Sequence, residues 1–450
     1  MQKSDLNNSW NPDTWRSYKA KQQATYPNKK HLDEVLSCLS NLPPLVSSWE
    51  IESLKSHLSQ AQVGKAFVLQ GGDCAETFSD CTSNNIVQKL KILLQMSLVL
   101  SSGLRKPVIR VGRLAGQYAK PRSSDEEVRD GVSLPSYRGD IINKIAFTEE
   151  DRVPDPDLML KGYNTSAITL NFVRSLIDGG FADLHHPENW DLDFVSKSPM
   201  ANQYKKLVES VSDSMSFFES ITGNALLTQR AEIYTSHEGL HLPYESAQTR
   251  FLEHRNAWYN LTTHFPWIGM RTADLEGAHV EYYRGIANPM GVKIGVSCSD
   301  DQLIGLIKKL NPKNNMGRLA LITRFGASNI NEHLPRVLKA VIKAKANVLW
   351  ICDPMHGNTE STKDGYKTRR FDNILSEIKS SFSVHEEFGT ILGGIHLELT
   401  GENVTECIGG ASGLTEIDLA KAYKTQVDPR LNYEQAMEIA ILIADHIKTK

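Results

Sequence analysis

The sequence predicts an α/β protein folded as a (β/α)8 barrel of the TIM type, and three observations carry that prediction. Eight short apolar runs lack two-residue alternation, as strands buried on both faces do. Helical stretches separate most of them, which calls for a parallel sheet. Nearly every run ends in, or just before, a residue able to do chemistry, and barrels carry their sites at the C-terminal strand ends. A doubly wound open sheet is the alternative, but no glycine fingerprint follows the first strand.

The elements follow in order. Residues 1–64 form an N-terminal extension in which Trp10, Trp15, Tyr18 and Tyr26 stand on otherwise polar sequence. Short helices are expected at about 32–39 and 48–58, on either side of Pro43-Pro44. The extension is expected either to pack on the parent domain or a neighbouring subunit, or to close the bottom of the barrel. The barrel is expected over 65–450. Its strands are AFVLQ (66–70), PVIRV (107–111), EIYTS (232–236), FPWIGM (265–270), GVKIGV (291–296), LALIT (319–323), NVLWIC (347–352) and TILGGIHLEL (390–399). Helices are expected at about 84–100, from near Thr165 through Ile177, and at 301–310, 331–345 and 433–447. The last has Asn432 as N-cap and Gln435 as its capping-box partner. The segment 125–160 is acidic and contains prolines. Residues 181–225 form an insertion in which Tyr204, Leu207, Val208, Val211, Met215 and Phe218 recur at helical spacing.

Composition narrows the function. The 450 residues hold 50 Lys plus Arg against 53 Asp plus Glu, a net charge of −3, with no basic tail; nucleic-acid binding is not indicated. No apolar run reaches the length of a membrane span, and the polar N-terminus lacks a signal-peptide core. The six cysteines (38, 74, 81, 298, 352 and 407) include no C-x-x-C pair, so reduced thiols in a cytoplasmic protein are expected.

The strand ends collect Cys74, Arg113, Glu238, Arg271, Lys293, Arg324, His356 and Glu398. A thiol, an imidazole and a carboxylate suit a divalent transition metal, and Asp428, past the last strand, adds a fourth donor. Each has an ordinary reading: Cys74 as a small hydrophobe, His356 as a satisfied loop histidine, Glu398 as an ion-pair partner, Asp428 as a turn former before Pro429. Their convergence on one face favours the metal. Arg113, Arg271, Lys293 and Arg324 suit a phosphate and a carboxylate on one small substrate, with structural ion pairs as the alternative. Lys120, Arg122 and Ser123, in the loop after the second strand, suit a second anion. A metal between two anion sites suggests a carbonyl polarised for attack by a carbon nucleophile.

The longer motifs GGDCAE (71–76), VGRLAGQYAKPRS (111–123), SYRGD (136–140), WIGMRT (267–272), TRFG (323–326), DPMHGN (353–358), GGIHLELTGENVTEC (393–407) and DPRLN (428–432) resemble those of the class II 3-deoxy-D-arabino-heptulosonate 7-phosphate (DAHP) synthases. The resemblance runs from SWNPDTWR (9–16) to the final helix. DLHHPENWDLDFV (183–195) resembles the insertion of the longer, allosterically regulated members. It implies a homotetrameric barrel that condenses phosphoenolpyruvate with D-erythrose 4-phosphate, the first step of the shikimate pathway. It implies Cys74, His356, Glu398 and Asp428 as ligands of Mn²⁺ or Co²⁺, with Fe²⁺ or Zn²⁺ as alternatives. Phosphoenolpyruvate would meet Arg113, Arg271, Lys293 and Arg324. Erythrose 4-phosphate would meet Arg122 and Ser123 by its phosphate and Lys120 near its aldehyde. Lys293 and Glu238 are the candidates for activating water. Aromatic amino acids as effectors and a chorismate mutase as partner are implied as well. Met270 departs from the pattern, which has glutamate there. A partner-binding protein on the same fold and another metal-dependent aldolase are the rival readings; metal content and a panel of aldehyde acceptors separate them.

Overall fold

The computed structural model describes residues 10–181 and 231–448 and, between these stretches, residues 201, 202, 204–206 and 209. The insertion expected at about 181–225, with its amphipathic helix, lies almost wholly outside the described residues.

All eight predicted strands are present: β1 (Phe67–Gly72), β2 (Val108–Arg113), β3 (Ile233–Thr235), β4 (Trp267–Ile268), β5 (Met290–Ile294), β6 (Leu319–Thr323), β7 (Leu349–Cys352) and β8 (Leu392–Glu398). They form one parallel sheet in the order β3-β2-β1-β8-β7-β6-β5-β4. The two outermost strands also meet. Phe265 and Trp267 donate their amides to the carbonyls of Thr235 and His237 at 3.1 Å each, and Glu238 bridges Trp267. The sheet is therefore closed, and the open doubly wound alternative is excluded. Strand burial explains the missing alternation, because β1, β5, β6, β7 and β8 are buried at every residue.

The longer helices among the described residues are α1 (Lys29–Asn41), α2 (Ser48–Gln62), α3 (Ser83–Leu104), α4 (Asp157–Asp178), α5 (Ala278–Gly285), α6 (Asp300–Leu310), α7 (Ile330–Lys343), α8 (Phe371–Glu387) and α9 (Tyr433–Lys448). The capping box of α9 forms as expected: Gln435 N–H donates to Asn432 Oδ1 at 2.9 Å and Asn432 N–H to Gln435 Oε1 at 3.2 Å. Two boundaries differ from expectation. α4 starts at Asp157, well before Thr165, because Pro156 is already in the helical region of φ/ψ and Leu158, Met159 and Tyr163 supply a buried face. β4 is only two residues long: Pro266 has no N–H to offer the ladder, and the chain turns at Gly269.

The barrel interior holds Val68, Ile109, Val111, Phe265, Trp267, Ala320, Ile322, Leu349 and Ile351. Leu54, Leu58 and Ala61 of α2 belong to the same cluster, so α2 plugs the N-terminal mouth. Its start is fixed by a capping box between Ser47 and Glu50. The aromatic residues of the extension are tied to the barrel's own loops. Trp10 Nε1 donates to the Glu281 carbonyl at 3.0 Å, Trp15 Nε1 to Ser246 Oγ at 2.6 Å, and Tyr26 OH meets His241 Nε2 at 2.8 Å. With one mouth plugged, the C-terminal mouth is the open end of the barrel.

Candidate active site

Register brings the first groups together. Gly72, the last residue of β1, pairs with Arg113 on β2 and with Glu398 on β8. Arg113 and Glu398 thus flank it from both sides, and Arg113 Nη2 donates to Glu398 Oε1 at 3.0 Å. Gly72 has φ +145°, and a Cβ there would stand 2.6 Å from the Arg113 carbonyl oxygen, so only glycine lets β1 turn so close to β2. That turn places Cys74 over the mouth. Arg113 holds it there, donating to the carbonyls of Asp73 at 2.8 Å and Cys74 at 3.0 Å.

The four candidate ligands share one cleft. Donor atoms of Cys74, Glu398 and Asp428 lie within 4.8 Å of one another. His356 is held between two carboxylates, with Nδ1 2.8 Å from Asp353 Oδ2 and Nε2 3.1 Å from Glu398 Oε1. A proton on Nε2, or a metal ion in its place, satisfies the second contact, and a carboxylate behind the imidazole orients it as in histidine–metal sites. A cation already draws on the other two donors: Lys120 Nζ lies 2.6 Å from Cys74 Sγ and 2.7 Å from Asp428 Oδ2. Burial, with Glu398 and Asp428 adding to it, pushes the Cys74 thiol up to about 12. Burial would also raise the Glu398 and Asp428 carboxyls. Instead His356, Arg369 and Arg113 hold Glu398 well below the carboxylate range, and Lys120 and Arg369 hold down Asp428. A soft sulfur, an imidazole and two ionised carboxylates fit a divalent transition metal.

The cations Arg113, Arg271, Lys293 and Arg324 line the same cleft. Lys293 Nζ is 2.5 Å from Asp353 Oδ2, and burial outweighs that partner and lowers its pKa. The Trp267 indole backs the group, with Arg113 Cζ 5.1 Å and Lys293 Nζ 5.9 Å from its ring centroid. Met270 is 39% exposed, its sulfur 3.8 Å from Arg324 Nη1. Glu238 is half-buried in the cleft wall. Its Oε1 is buried and has no hydrogen-bond partner among the described residues, and burial raises its carboxyl.

Lys120 lines the cleft, but Arg122 and Ser123 do not. Arg122 is fastened by its backbone to the Gln22 side chain, at 2.8 and 3.0 Å, and Ser123 is exposed on the rim. Three neighbours of the site were not among the expected site residues. Asp353 orients both His356 and Lys293. Arg369 donates to Glu398 Oε2 at 2.8 Å. His396, two residues before Glu398, accepts from Arg113 Nη1 at 2.5 Å. Burial, then Lys293 and Arg113, hold the His396 imidazole well below its usual range, as a neutral acceptor requires. Its place one turn of the pleat below Glu398 was the available hint.

Residues 10–444 match the Class-II DAHP synthetase family. The chain is 46% identical to a phospho-2-dehydro-3-deoxyheptonate aldolase of Neurospora crassa, covering 98% of this chain and 94% of that one. It is 44% identical to the protein of that name from Streptomyces coelicolor, covering 96% of each. A relative from Mycolicibacterium smegmatis is 43% identical over 91% of this chain and 89% of its own. Among the described residues no helix is long and apolar enough to cross a membrane.

Proposed function

The chain belongs to the class-II DAHP synthetase family, and on that premise we propose how its cleft carries the family's reaction. The function is that of a 3-deoxy-7-phosphoheptulonate synthase. Phosphoenolpyruvate and D-erythrose 4-phosphate condense with water to give DAHP and inorganic phosphate, the first step of the shikimate pathway to the aromatic amino acids. One observation carries the reading: a convergent donor set and four cations line one cleft.

In this reading Arg113, Arg271, Lys293 and Arg324 bind the carboxylate and phosphate of phosphoenolpyruvate. Their charges are in place before reaction begins, which is where electrostatic preorganisation lowers a barrier. Arg122 and Ser123 on the rim take the phosphate of erythrose 4-phosphate, directing its aldehyde inward past Lys120. A divalent ion held by Cys74, His356, Glu398 and Asp428, Mn²⁺ or Co²⁺ first and Fe²⁺ or Zn²⁺ as alternatives, supplies Lewis-acid polarisation of that aldehyde. The Lys120 ammonium donates to the oxygen as it gains charge, while C3 of phosphoenolpyruvate bonds to the aldehyde carbon. Water adds to the cationic C2, and phosphate leaves with its bridging oxygen. Of the two candidates for taking the water's proton, Glu238 is preferred. Its Oε1 is unpartnered and its carboxyl is raised by burial, whereas the Lys293 ammonium is committed to Asp353.

The same membership supports the wider parts of the proposal. These are a cytoplasmic homotetramer, an N-terminal extension (1–64) packed on the catalytic barrel (65–450), aromatic amino acids as effectors, and a chorismate mutase as partner. The deciding experiment follows phosphoenolpyruvate absorbance after chelation and after resupply of Mn²⁺. Consumption is expected only with metal and both substrates present. Consumption that persists in the chelated protein, or that proceeds without erythrose 4-phosphate, would overturn the reading.

A further inference from the structure

Glu377 of α8 is fully buried, with Ile374 and Ile378 of its own helix buried beside it, yet among the described residues it forms no ion pair. Its partners are N–H groups of two different strand-end loops. Oε1 accepts from the amides of Phe325 at 3.0 Å and Gly326 at 2.9 Å, in the loop after β6. Oε2 accepts from Asn358 Nδ2 at 2.7 Å, in the loop after β7. Asn358 completes the tie by accepting the Ala327 amide on Oδ1 at 2.9 Å. The two loops touch where both have glycine: a Cβ on Gly357 would lie 2.3 Å from the Gly326 nitrogen. On their cleft side, Arg324 Nη2 donates to the His356 carbonyl at 2.6 Å. The ionised carboxylate can accept from all three donors at once. A glutamine would point its NH₂ either at the two amides or at Asn358, and Asn358 cannot turn without losing Ala327 and the Pro354 carbonyl.

We propose that Glu377 is a positioning residue that locks the anion-binding loop of Arg324 to the metal-binding loop of His356, so that the two sites are set as one unit. This rests on the functional reading above. Glu377 touches neither substrate nor metal; it acts through the backbone that carries both residues. Buried carboxylates clamp loops elsewhere around this mouth. Glu76 accepts the amides of Ala115, Gly116 and Gln117, and Glu406 those of Thr425 and Arg430. Glu377 differs in belonging to neither loop: from α8 it ties the loop of a candidate metal ligand to the loop of a candidate phosphoenolpyruvate ligand, whereas Glu76 lies on one of the loops it joins.

The test is Glu377→Gln, with Mn²⁺ affinity measured by titration and the KM for each substrate measured at saturating metal. The Mn²⁺ dissociation constant and the KM for phosphoenolpyruvate are both expected to rise about tenfold, the scale of a lost supporting contact behind a metal ligand. The KM for erythrose 4-phosphate is expected to stay within about twofold, since its rim residues hang on other loops. A lowered thermal midpoint with all three constants unchanged would reduce Glu377 to a structural role. A shift in only one of the first two would overturn the coupling. If Glu377→Gln does not fold, Asn358→Ala severs the same tie from the loop side and is read the same way. Wild-type protein without metal-dependent consumption of phosphoenolpyruvate would sink the functional reading instead, and the Mn²⁺ titration separates that outcome from failure of the coupling.

Discussion

Burial, with Asp353 adding to it, pushes the Glu377 carboxyl up to about 7 against the hydrogen bonds from Gly326, Phe325 and Asn358. An exposed glutamate in the unfolded chain titrates near 4.5. Between those values the folded protein holds the proton and the unfolded chain does not, so this group's contribution to stability falls as pH rises. The effect is absent below the lower value and complete above the upper one, and amounts to about 3 kcal/mol. The thermal midpoint of wild type minus that of Glu377→Gln should therefore be largest near pH 4.5 and shrink steadily to about pH 7. A difference that stays flat over that range would mean the carboxylate is ionised throughout. Nothing in the sequence marks this residue. It stands in an ordinary amphipathic helix, and only the packing of α8 behind two loops makes its charge matter. Asp353 and His396 lie inside quoted motifs, but no rule of residue type or spacing set them apart from their neighbours. The convergence of Cys74, His356, Glu398 and Asp428 on one cleft was legible because a thiol, an imidazole and a carboxylate at strand ends, with another carboxylate past the last strand, are rare enough to be noticed together.

At the scale of elements, the strands were readable because burial on both faces leaves a plain apolar run, and several of the barrel's helices because their stripes repeat; α5 and α8 were not among the expected helices. The start of α4 was not, since its first turns follow two prolines in an acidic stretch, and only the buried Leu158 and Met159 show the helix beginning there. The extension was open to two readings, and the side chains answer for α2. Leu54, Leu58 and Ala61 are wholly buried against the barrel interior, so α2 is the floor on which the strands rest. Leu54→Ala should destabilise the protein by about 3 kcal/mol through the cavity it leaves. It should also leave the KM for phosphoenolpyruvate unchanged, because the floor and the cleft lie at opposite mouths. Denaturant midpoints and initial rates on the same preparation check both halves. A raised KM would show that the floor sets the cleft, contrary to the rigid-barrel view.

At the scale of the whole molecule, the candidate ligands are far apart in the chain: Cys74 and Asp428 are separated by 354 positions. No short spacing announces such a site. It exists only once β1 and β8 are neighbours and the loop beyond β8 has folded back over the mouth. Any ion bound there ties the first strand's loop to the last, so metal affinity is also stability of the closed barrel. A ligand that binds only the folded state at about a hundred times its dissociation constant adds about 2.7 kcal/mol. Mn²⁺ at that excess should raise the thermal midpoint of the chelated protein by a few degrees. Cys74→Ser should lose most of the rise, because a hydroxyl replaces the thiolate on a site otherwise unchanged. A purely surface-bound ion would raise the midpoint equally in both proteins. Lys120 adds a second signature. Its ammonium uses Cys74 Sγ and Asp428 Oδ2, the same two atoms an ion would draw on. Metal binding therefore frees it toward the open cleft, where the aldehyde is to be met. In Lys120→Met the Mn²⁺-induced rise should be larger than in wild type, since no internal cation competes for those donors. A smaller rise would place Lys120 among the groups that help hold the ion.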